Sequence, residues 1–185
     1  MNPIDVINSI IPLNEDNKKI LLSSMEKRDI KKGVPIINEG EKNNLIGFIS
    51  SGLFRSYLNT ESGKQLTLDF FQMGSFFTDL NSYYLMSQSK VNIEAVVDST
   101  VFFLDRKTIT ELYNLIPEFY KFEIIYKEKI SLCLLSFQKK INHLGAYDSY
   151  KLFSKTYKQA LCESPKKYIA SFLGISPFTL SRIKL

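Results

Sequence analysis

The spacing of apolar and polar residues changes along the chain. Between residues 31 and 106, apolar positions fall in short runs separated by turn residues, and six of the eight glycines lie between residues 33 and 74. This pattern predicts many short antiparallel strands in a barrel or roll, because parallel strands would need crossover helices between them. The predicted strands cover residues 46–49, 53–58, 65–71, 91–97 and 100–104.

Helical spacing flanks the β-rich region. Residues 14–26 predict a short helix with Asn14 as its N-cap. Residues 107–115 predict another helix, which ends before Pro117 because proline cannot continue it. The predicted fold class is therefore α+β: an N-terminal antiparallel β-roll followed by helices.

The longest predicted helix covers residues 117–142. One apolar stripe recurs along it in steps of three and four, and a second set, Ile125, Leu132 and Leu135, widens the apolar surface beyond what one neighbour would cover. The helix either lies on its own roll as a core helix or also packs against a second copy of the chain, and we favour the homodimer. The expected interface residues are Phe122, Tyr126, Ile130, Cys133 and Phe137.

The last twenty residues have the pattern of a helix-turn-helix. Gly174 falls where the first helix ends and the chain needs a left-handed residue. Ser176 and Pro177 then supply an N-cap and a first helical residue for the second helix. A Ser-Pro pair at residues 164–165 is expected to start the first helix in the same way. Ala170 marks a close crossing, and the buried seam is expected to comprise Ile169, Leu173, Ile175, Leu180 and Ile183.

The net positive charge is concentrated in this last quarter of the chain. Residues 143–185 hold seven Lys or Arg against two acidic residues, whereas the rest of the chain holds 17 of each sign. An ordinary helical hairpin would explain the apolar seam but not this confined basic excess, which contact with phosphates requires. We therefore predict that the segment binds double-stranded DNA and that the helix beginning at Ser176 reads the base sequence.

Individual roles follow from side-chain chemistry. Arg182 is the expected base-contacting residue, because the guanidinium fork matches the two acceptors of guanine. Phe178 either contacts a thymine methyl or packs between the helices. The residues expected on the groove-facing side are Ser176, Pro177, Phe178, Ser181 and Arg182, and those expected near phosphates are Thr179, Lys166, Lys167 and Lys184.

Composition restricts the other classes of function. No apolar run approaches the ~18–20 residues of a membrane span and no signal-peptide pattern opens the chain, so a cytoplasmic location is expected. The two cysteines, Cys133 and Cys162, are expected to be buried apolar residues, and they are too few for an iron–sulfur cluster or a four-ligand metal site. A haem would need an axial ligand near the roll, and the only histidine, His143, lies at the start of the C-terminal segment. An enzyme is not expected, because the predicted roll has no histidine for a metal site or a catalytic base.

Four fragments in this order resemble the bacterial regulators of the cyclic-AMP receptor protein and Fnr (Crp/Fnr) family. Residues 30–41 are similar to the family's entry to the roll, residues 45–55 to the next strand pair, residues 93–101 to the last strands, and residues 168–183 to its helix-turn-helix. Each fragment alone is a moderate signal. The order and separations of all four make the resemblance specific, and it extends over nearly the whole chain.

The resemblance implies a domain organisation and a set of partners. Residues 1–116 would be a cyclic-nucleotide-binding-like sensor roll, residues 117–142 a dimerisation helix, and residues 143–185 a DNA-binding domain. The implied function is a transcription regulator, and the implied partners are double-stranded DNA, a second copy of the chain, an unidentified small-molecule effector and RNA polymerase.

The expected ligand pocket departs from the family pattern. Cyclic-nucleotide binders of the family carry Gly-Glu for the ribose and Arg-Ser or Arg-Thr for the phosphate, where this chain has Gly74-Ser75 and Ser89-Lys90. Lys90 offers a point charge but not the bidentate fork of arginine, so cyclic AMP is not the expected effector. The alternative function is an effector- or protein-binding roll whose helix-turn-helix is a relic with little affinity for DNA.

Overall fold

The computed structural model describes residues 1–183, and its centre is a pair of four-stranded antiparallel sheets. The strand order is β1-β8-β3-β6 in the first sheet and β2-β7-β4-β5 in the second. The predicted strands are confirmed with small shifts at their ends. The strands are β1 (Glu26–Ile30), β2 (Pro35–Ile37), β3 (Leu45–Ser51), β4 (Phe54–Asn59), β5 (Gln65–Phe71), β6 (Phe76–Phe77), β7 (Asn92–Ala95) and β8 (Ser99–Asp105).

Alternation of side chains along the strands places an apolar core between the two sheets. In β7, Ile93 and Ala95 are buried in this core, so Glu94 between them lies on the opposite face of its sheet. The turn from β3 to β4 requires Gly52, because its φ is +103° and a Cβ atom there would overlap Ser99. The antiparallel α+β architecture expected from the sequence is confirmed.

Nine helices surround the sheets within residues 1–183. Those that flank the strands are α1 (Pro3–Asn8), α2 (Glu15–Ser23), α3 (Leu80–Leu85) and α4 (Arg106–Leu115), and those that follow are α5 (Pro117–Ile141), α6 (Ala146–Thr156), α7 (Lys158–Glu163), α8 (Lys166–Phe172) and α9 (Pro177–Arg182). The predicted N-cap of α2 is confirmed, since the Asn14 side chain accepts a hydrogen bond from the Asn17 backbone N–H at 2.8 Å. The helix ends at Ser23 rather than at residue 26.

The long helix α5 connects two separate apolar cores. Its first half packs Phe119 and Phe122 into a core shared with α1, α2 and α4. Its last turns pack Phe137 into a second core shared with β5 and with α6 to α9. Between these anchors, residues 128–136 are all exposed. Within residues 1–183, the apolar side chains of this middle section of α5 are therefore at most partly covered.

Two local predictions about the C-terminal helices and the cysteines are wrong. Ser164 does not cap α8 but terminates α7, and Pro165 takes the N-cap position without a side-chain hydrogen bond. The predicted cap position of α8 is thus wrong by one residue, because Ser164 is the C-cap of α7 and Pro165 the N-cap of α8. Cys133 and Cys162 are exposed rather than buried.

Candidate functional site

The last two helices form a pair with the local signals that the sequence predicts. Residues 173–176 connect α8 to α9, and Gly174 has a φ of +66°, in the left-handed region. The Ser176 Oγ accepts a hydrogen bond from the Thr179 backbone N–H at 2.9 Å, and Pro177 occupies the first helical position. The start of α9 is therefore fixed by its own sequence.

One side chain anchors α9 to the rest of the protein. Leu180 is 4% exposed and packs in the second core with Ile169 and Ala170 of α8. Phe178 is 63% exposed, so it does not pack between the helices. The remaining residues of this segment present one continuous exposed surface, which consists of Ser176, Pro177, Phe178, Thr179, Ser181 and Arg182.

This exposed surface is basic. Residues 164–183 contain no aspartate or glutamate, and Lys166 and Lys167 are exposed at the start of α8. The Arg182 guanidinium lies 4.0 Å from the centre of the Phe178 ring, a distance typical of a cation–π contact. Lys184 lies outside the described residues.

The helix pair is docked on the edge of the second sheet. The Ser171 hydroxyl of α8 accepts a hydrogen bond from the Thr67 backbone N–H at 3.0 Å and donates one to the Gln65 backbone carbonyl at 3.1 Å. These two groups belong to β5, which is an edge strand. One serine hydroxyl therefore satisfies backbone groups that a further strand would otherwise pair.

A fully buried arginine lies beneath α8. Arg55 of β4 is 0% exposed, and its Nε and Nη2 lie 2.8 and 2.7 Å from Glu94 Oε1 on the neighbouring strand. Its Nη1 donates to Thr67 Oγ1 at 3.0 Å. The guanidinium carbon lies 3.4 Å from the centre of the Tyr168 ring on α8 and 4.3 Å from that of Tyr57. A charge pair on the sheet is thus covered by an aromatic ring of the helix pair.

Register explains this ion pair, which the sequence analysis did not identify. Arg55 and Glu94 are direct cross-strand partners in the β4–β7 pair. Both residues interrupt apolar runs of predicted strands, and opposite charges on two such strands are a signal of cross-strand pairing. The signal could not be used without knowing that β4 pairs with β7.

A second polar contact joins β5 to the segment between α6 and α7. The Tyr157 hydroxyl donates a hydrogen bond to Asp69 Oδ1 at 2.9 Å, and the Phe70 backbone N–H donates to the same oxygen at 2.8 Å. Burial raises the pKa of Asp69 to about 6, although both hydrogen bonds act in the opposite direction. Burial and the Asp69 charge also raise the pKa of Tyr157.

Asp69 should make the stability of the protein depend on pH. Its pKa is higher in the folded chain than the ordinary value of 3.8, so the folded state holds more protons than the unfolded state between about pH 4 and pH 6. The stabilising contribution is full below this window and is lost as pH rises through about 6. We expect a loss of roughly 2 kcal/mol in wild type and a smaller loss in Asp69→Asn. Urea unfolding between pH 4 and pH 7.5 measures both, and parallel curves for the two proteins would contradict this assignment.

The two residue pairs expected at the effector pocket have local structural roles. The Gly74 backbone N–H donates to the Ile49 carbonyl at 2.8 Å, and the Ser75 hydroxyl donates to the Gln72 carbonyl. Ser89 is buried and its hydroxyl donates to the Val91 carbonyl at 2.8 Å, whereas Lys90 is exposed. Among the described residues, no hydrogen bond joins one pair to the other.

A carboxylate that the sequence analysis missed lies close to this region. Asp79 is 8% exposed, and its Oδ1 accepts a hydrogen bond from the Asn81 backbone N–H at the start of α3. Its Oδ2 is buried and has no hydrogen-bond partner within the described part of the chain. The N-cap position of Asp79 before a short helix was a sequence signal for its structural role.

The five residues expected at a dimer interface lie on the side of α5 that faces the roll and the second core. Phe122 and Phe137 are 4% and 8% exposed and pack within their own chain. The Tyr126 hydroxyl accepts a hydrogen bond from the Phe76 backbone N–H at 3.0 Å. Ile130 and Cys133 are exposed between the two cores. A second side of α5 carries Ile125, Leu132 and Leu135, which are 45%, 68% and 52% exposed.

Comparison with known families finds a match over most of the two sheets. Residues 27–115 match the family model of the cyclic nucleotide-binding domain. The matched region begins in β1 and ends with α4, so α1, α2 and α5 to α9 lie outside it. No curated protein sequence matches the chain significantly.

Solved structures similar to this chain include two bacterial proteins. CLP of Xanthomonas campestris, named a c-di-GMP responsive global regulator, has a TM-score of 0.68 and 13% identity, and the match covers 91% of this chain and 89% of CLP. FixK2 of Bradyrhizobium japonicum has a TM-score of 0.69 and 14% identity, with 85% of this chain and 81% of FixK2 covered. At these identities the similarity shows a shared fold.

A solved structure of a protein of another kind is also similar to part of this chain. The cAMP bound PfPKA-R is 25% identical, with a TM-score of 0.51, but the match covers 60% of this chain and only 40% of PfPKA-R.

Within residues 1–183, no helix has both the length and the hydropathy of a membrane span. The same residues include no group of three or more His, Cys, Asp or Glu side chains that could hold a metal ion.

Proposed function

We propose that the protein is a homodimeric DNA-binding transcription regulator that reads base sequence with α9. The observation that carries this proposal is the exposed, acid-free surface of α9, a helix in which only Leu180 is buried. A helix of a folded domain normally buries one face in a core and leaves polar residues outside, but here five of six α9 residues are exposed beside exposed lysines. The similarity to CLP, which is named a global regulator that links cell-cell signaling to virulence gene expression, supports the same function.

The chemistry of the exposed residues divides them into two groups. Arg182 has the fork that matches guanine in the major groove, and its contact with the Phe178 ring orients the guanidinium before DNA arrives. The exposed Phe178 ring is suited to a thymine methyl group. Ser176, Pro177 and Ser181 lie on the same exposed helix, and Thr179, Lys166 and Lys167 are assigned to phosphates, as is Lys184.

Arg182→Ala should reduce sequence discrimination, whereas Lys166→Ala and Lys167→Ala should reduce affinity for all sequences. We expect Arg182→Ala to cost about 1–3 kcal/mol on the preferred site and to relax one base pair in each half-site. Each lysine variant should instead make the slope of log affinity against log salt shallower by about one unit per subunit. Selection from a random DNA pool, followed by binding titrations over a salt series, measures both effects.

Matched control variants for this experiment lie on β1, a strand of the first sheet, whereas the helix pair docks on the second. Arg28→Ala and Lys27→Ala remove exposed cations there and should leave the selected motif and the salt slope unchanged. If wild type selects no DNA sequence, or if Arg182→Ala retains the wild-type motif and affinity, the helix pair is a relic and the roll carries the function.

The exposed apolar side of α5 supports the homodimer. Ile125, Leu132 and Leu135 follow steps of seven and three, which brings them to one side of the helix. The apolar residues in the uncovered section 128–136 would remain in water in a monomer, and a second α5 would cover them. A symmetric pair of α9 helices would then address two half-sites of DNA.

We also propose that the effector is not a cyclic nucleotide. Neither Gly74-Ser75 nor Ser89-Lys90 supplies a carboxylate or a guanidinium, and the Ser89 hydroxyl is already bonded to the Val91 carbonyl. Isothermal titration calorimetry with cyclic AMP and cyclic GMP should therefore detect no binding at about micromolar concentrations. A micromolar dissociation constant for either nucleotide would contradict this proposal.

A further inference from the structure

A cavity of about 260 Å³ lies where the second sheet, the end of α5 and the C-terminal helices meet. Asp69 of β5 lines one side, and Leu134 and Ile141 of α5 line another. The rest of the wall includes aromatic rings of Phe137, Tyr157 and Phe172. The cavity is separate from the segment of Gly74-Ser75 and Ser89-Lys90, none of which lines it.

The three aromatic rings come from three different elements. The Phe137 ring of α5 and the Tyr157 ring before α7 have centres 5.3 Å apart and are nearly perpendicular, at 88°. The Phe172 ring of α8 lies 5.9 Å from Phe137 and 5.3 Å from Tyr157. Aromatic faces carry partial negative charge, and grouped rings are a recognised environment for alkylammonium groups.

Asp69 adds a full negative charge that the protein does not balance. Among the described residues no salt bridge reaches its carboxyl group, and the two hydrogen bonds that it accepts both go to Oδ1. Oδ2 accepts no hydrogen bond within residues 1–183, and Asp69 lines the cavity. The ionised form of a carboxyl group that is largely removed from water is unfavourable when no cation lies beside it. A cation bound in the cavity would therefore stabilise ionised Asp69.

We infer that this cavity binds a small organic cation, an alkylammonium group with an apolar body. The carboxylate of Asp69 would neutralise the charge, the rings of Phe137, Tyr157 and Phe172 would surround the alkyl groups, and Leu134 and Ile141 would contact the apolar body. An anion would be repelled by Asp69. A neutral apolar ligand would leave Asp69 without a partner.

A ligand in this cavity would link the second sheet to the C-terminal helices. The ligand would contact β5 of the sheet, α5 and α8, and α8 is the helix that precedes α9. Occupancy should therefore hold α8 in its docked position. This regulatory consequence rests on the proposed DNA-binding function, whereas binding of the cation does not.

Choline is a suitable probe, because its uncharged isostere 3,3-dimethyl-1-butanol has the same shape. For the full chain at pH 7.5, we expect choline to raise the Tm and to give a calorimetric Kd at least about tenfold lower than that of the isostere. Asp69→Asn should remove this preference, because it keeps the side-chain size and loses the charge. Phe172→Leu should weaken choline binding by about tenfold while affecting the isostere less.

Asp148→Asn is the matched control, since it removes an exposed carboxylate from α6. It should bind choline as wild type does. Asp69→Asn should remain folded, which its own thermal unfolding curve checks. Equal affinity for choline and the isostere, unchanged choline affinity in Asp69→Asn, or no Tm shift at about 10 mM choline would each overturn the inference. Because these readouts need no DNA, their failure is distinct from a failure of sequence-specific DNA binding.

Discussion

Replacement of Arg55 by methionine is expected to cost about 3–5 kcal/mol of unfolding free energy, the largest effect of any single substitution considered for this protein. The change leaves Glu94, which is 9% exposed, as a buried carboxylate without its partner. It also removes the hydrogen bond to Thr67 and the contact with the Tyr168 ring. Urea unfolding at pH 7 measures the loss.

A double variant separates the cost of an unpaired charge from the value of the pair. Arg55→Met combined with Glu94→Leu removes both charges, and we expect it to regain most of the lost stability, because buried ion pairs can often be replaced by apolar residues without loss. Arg28→Met, at an exposed position on β1, controls for the substitution itself and should change stability by less than about 0.5 kcal/mol. A cost below about 1 kcal/mol for Arg55→Met would show that Glu94 reaches water.

The second large effect is expected at the exposed side of α5. Leu132→Glu combined with Leu135→Glu should convert dimers into folded monomers. Each subunit would contribute two glutamates in place of two leucines, so four negative charges would be buried in the interface. If each of the four leucines contributes about 1.5 kcal/mol to the free energy of dimerisation, the dimer of the variant should have a dissociation constant at least about a thousandfold higher than that of wild type. Sedimentation velocity over a concentration series measures the oligomeric state, and circular dichroism checks the fold.

Lys151→Glu combined with Lys155→Glu is the matched control, because these exposed residues lie on α6 rather than on α5. This variant should remain dimeric. If the leucine variant sediments as a dimer, the copies associate through another surface. If wild type is monomeric at about 100 μM, the homodimer proposal is wrong. Phe137 is unsuitable for such a test, because it is buried in its own chain and its replacement would unfold the second core.

The elements that the sequence predicted correctly are those whose signals are local. Strands such as Gln65–Phe71 and the start of α9 depend on alternation, capping and turn residues that lie within a few positions of one another. The error at Ser164 and Pro165 also has a local cause, because two helices compete for the same pair of residues as a terminus and a start. Periodicity alone could not decide which helix Ser164 belongs to.

The site features that escaped prediction depend on contacts between distant segments. The partners Arg55 and Glu94 are 39 residues apart, and Asp69 and Tyr157 are 88 residues apart. A helical stripe likewise shows which residues of α5 share a side but not which neighbour covers each part of it. Phe122 and Phe137 therefore face cores of their own chain, whereas Ile130 on the same stripe is exposed between those cores.

The contact between Ser171 and β5 has a consequence for the solubility of the protein. An open sheet edge is a template on which strands from other molecules can add, and Ser171 occupies two of the backbone groups that such a strand would use. Any movement of α8 away from the sheet would therefore expose unpaired backbone groups of β5, and it would also release α9. Truncated chains that end before α8 should self-associate through β5, so the sheets alone are a poor substitute for the intact protein in structural or binding work.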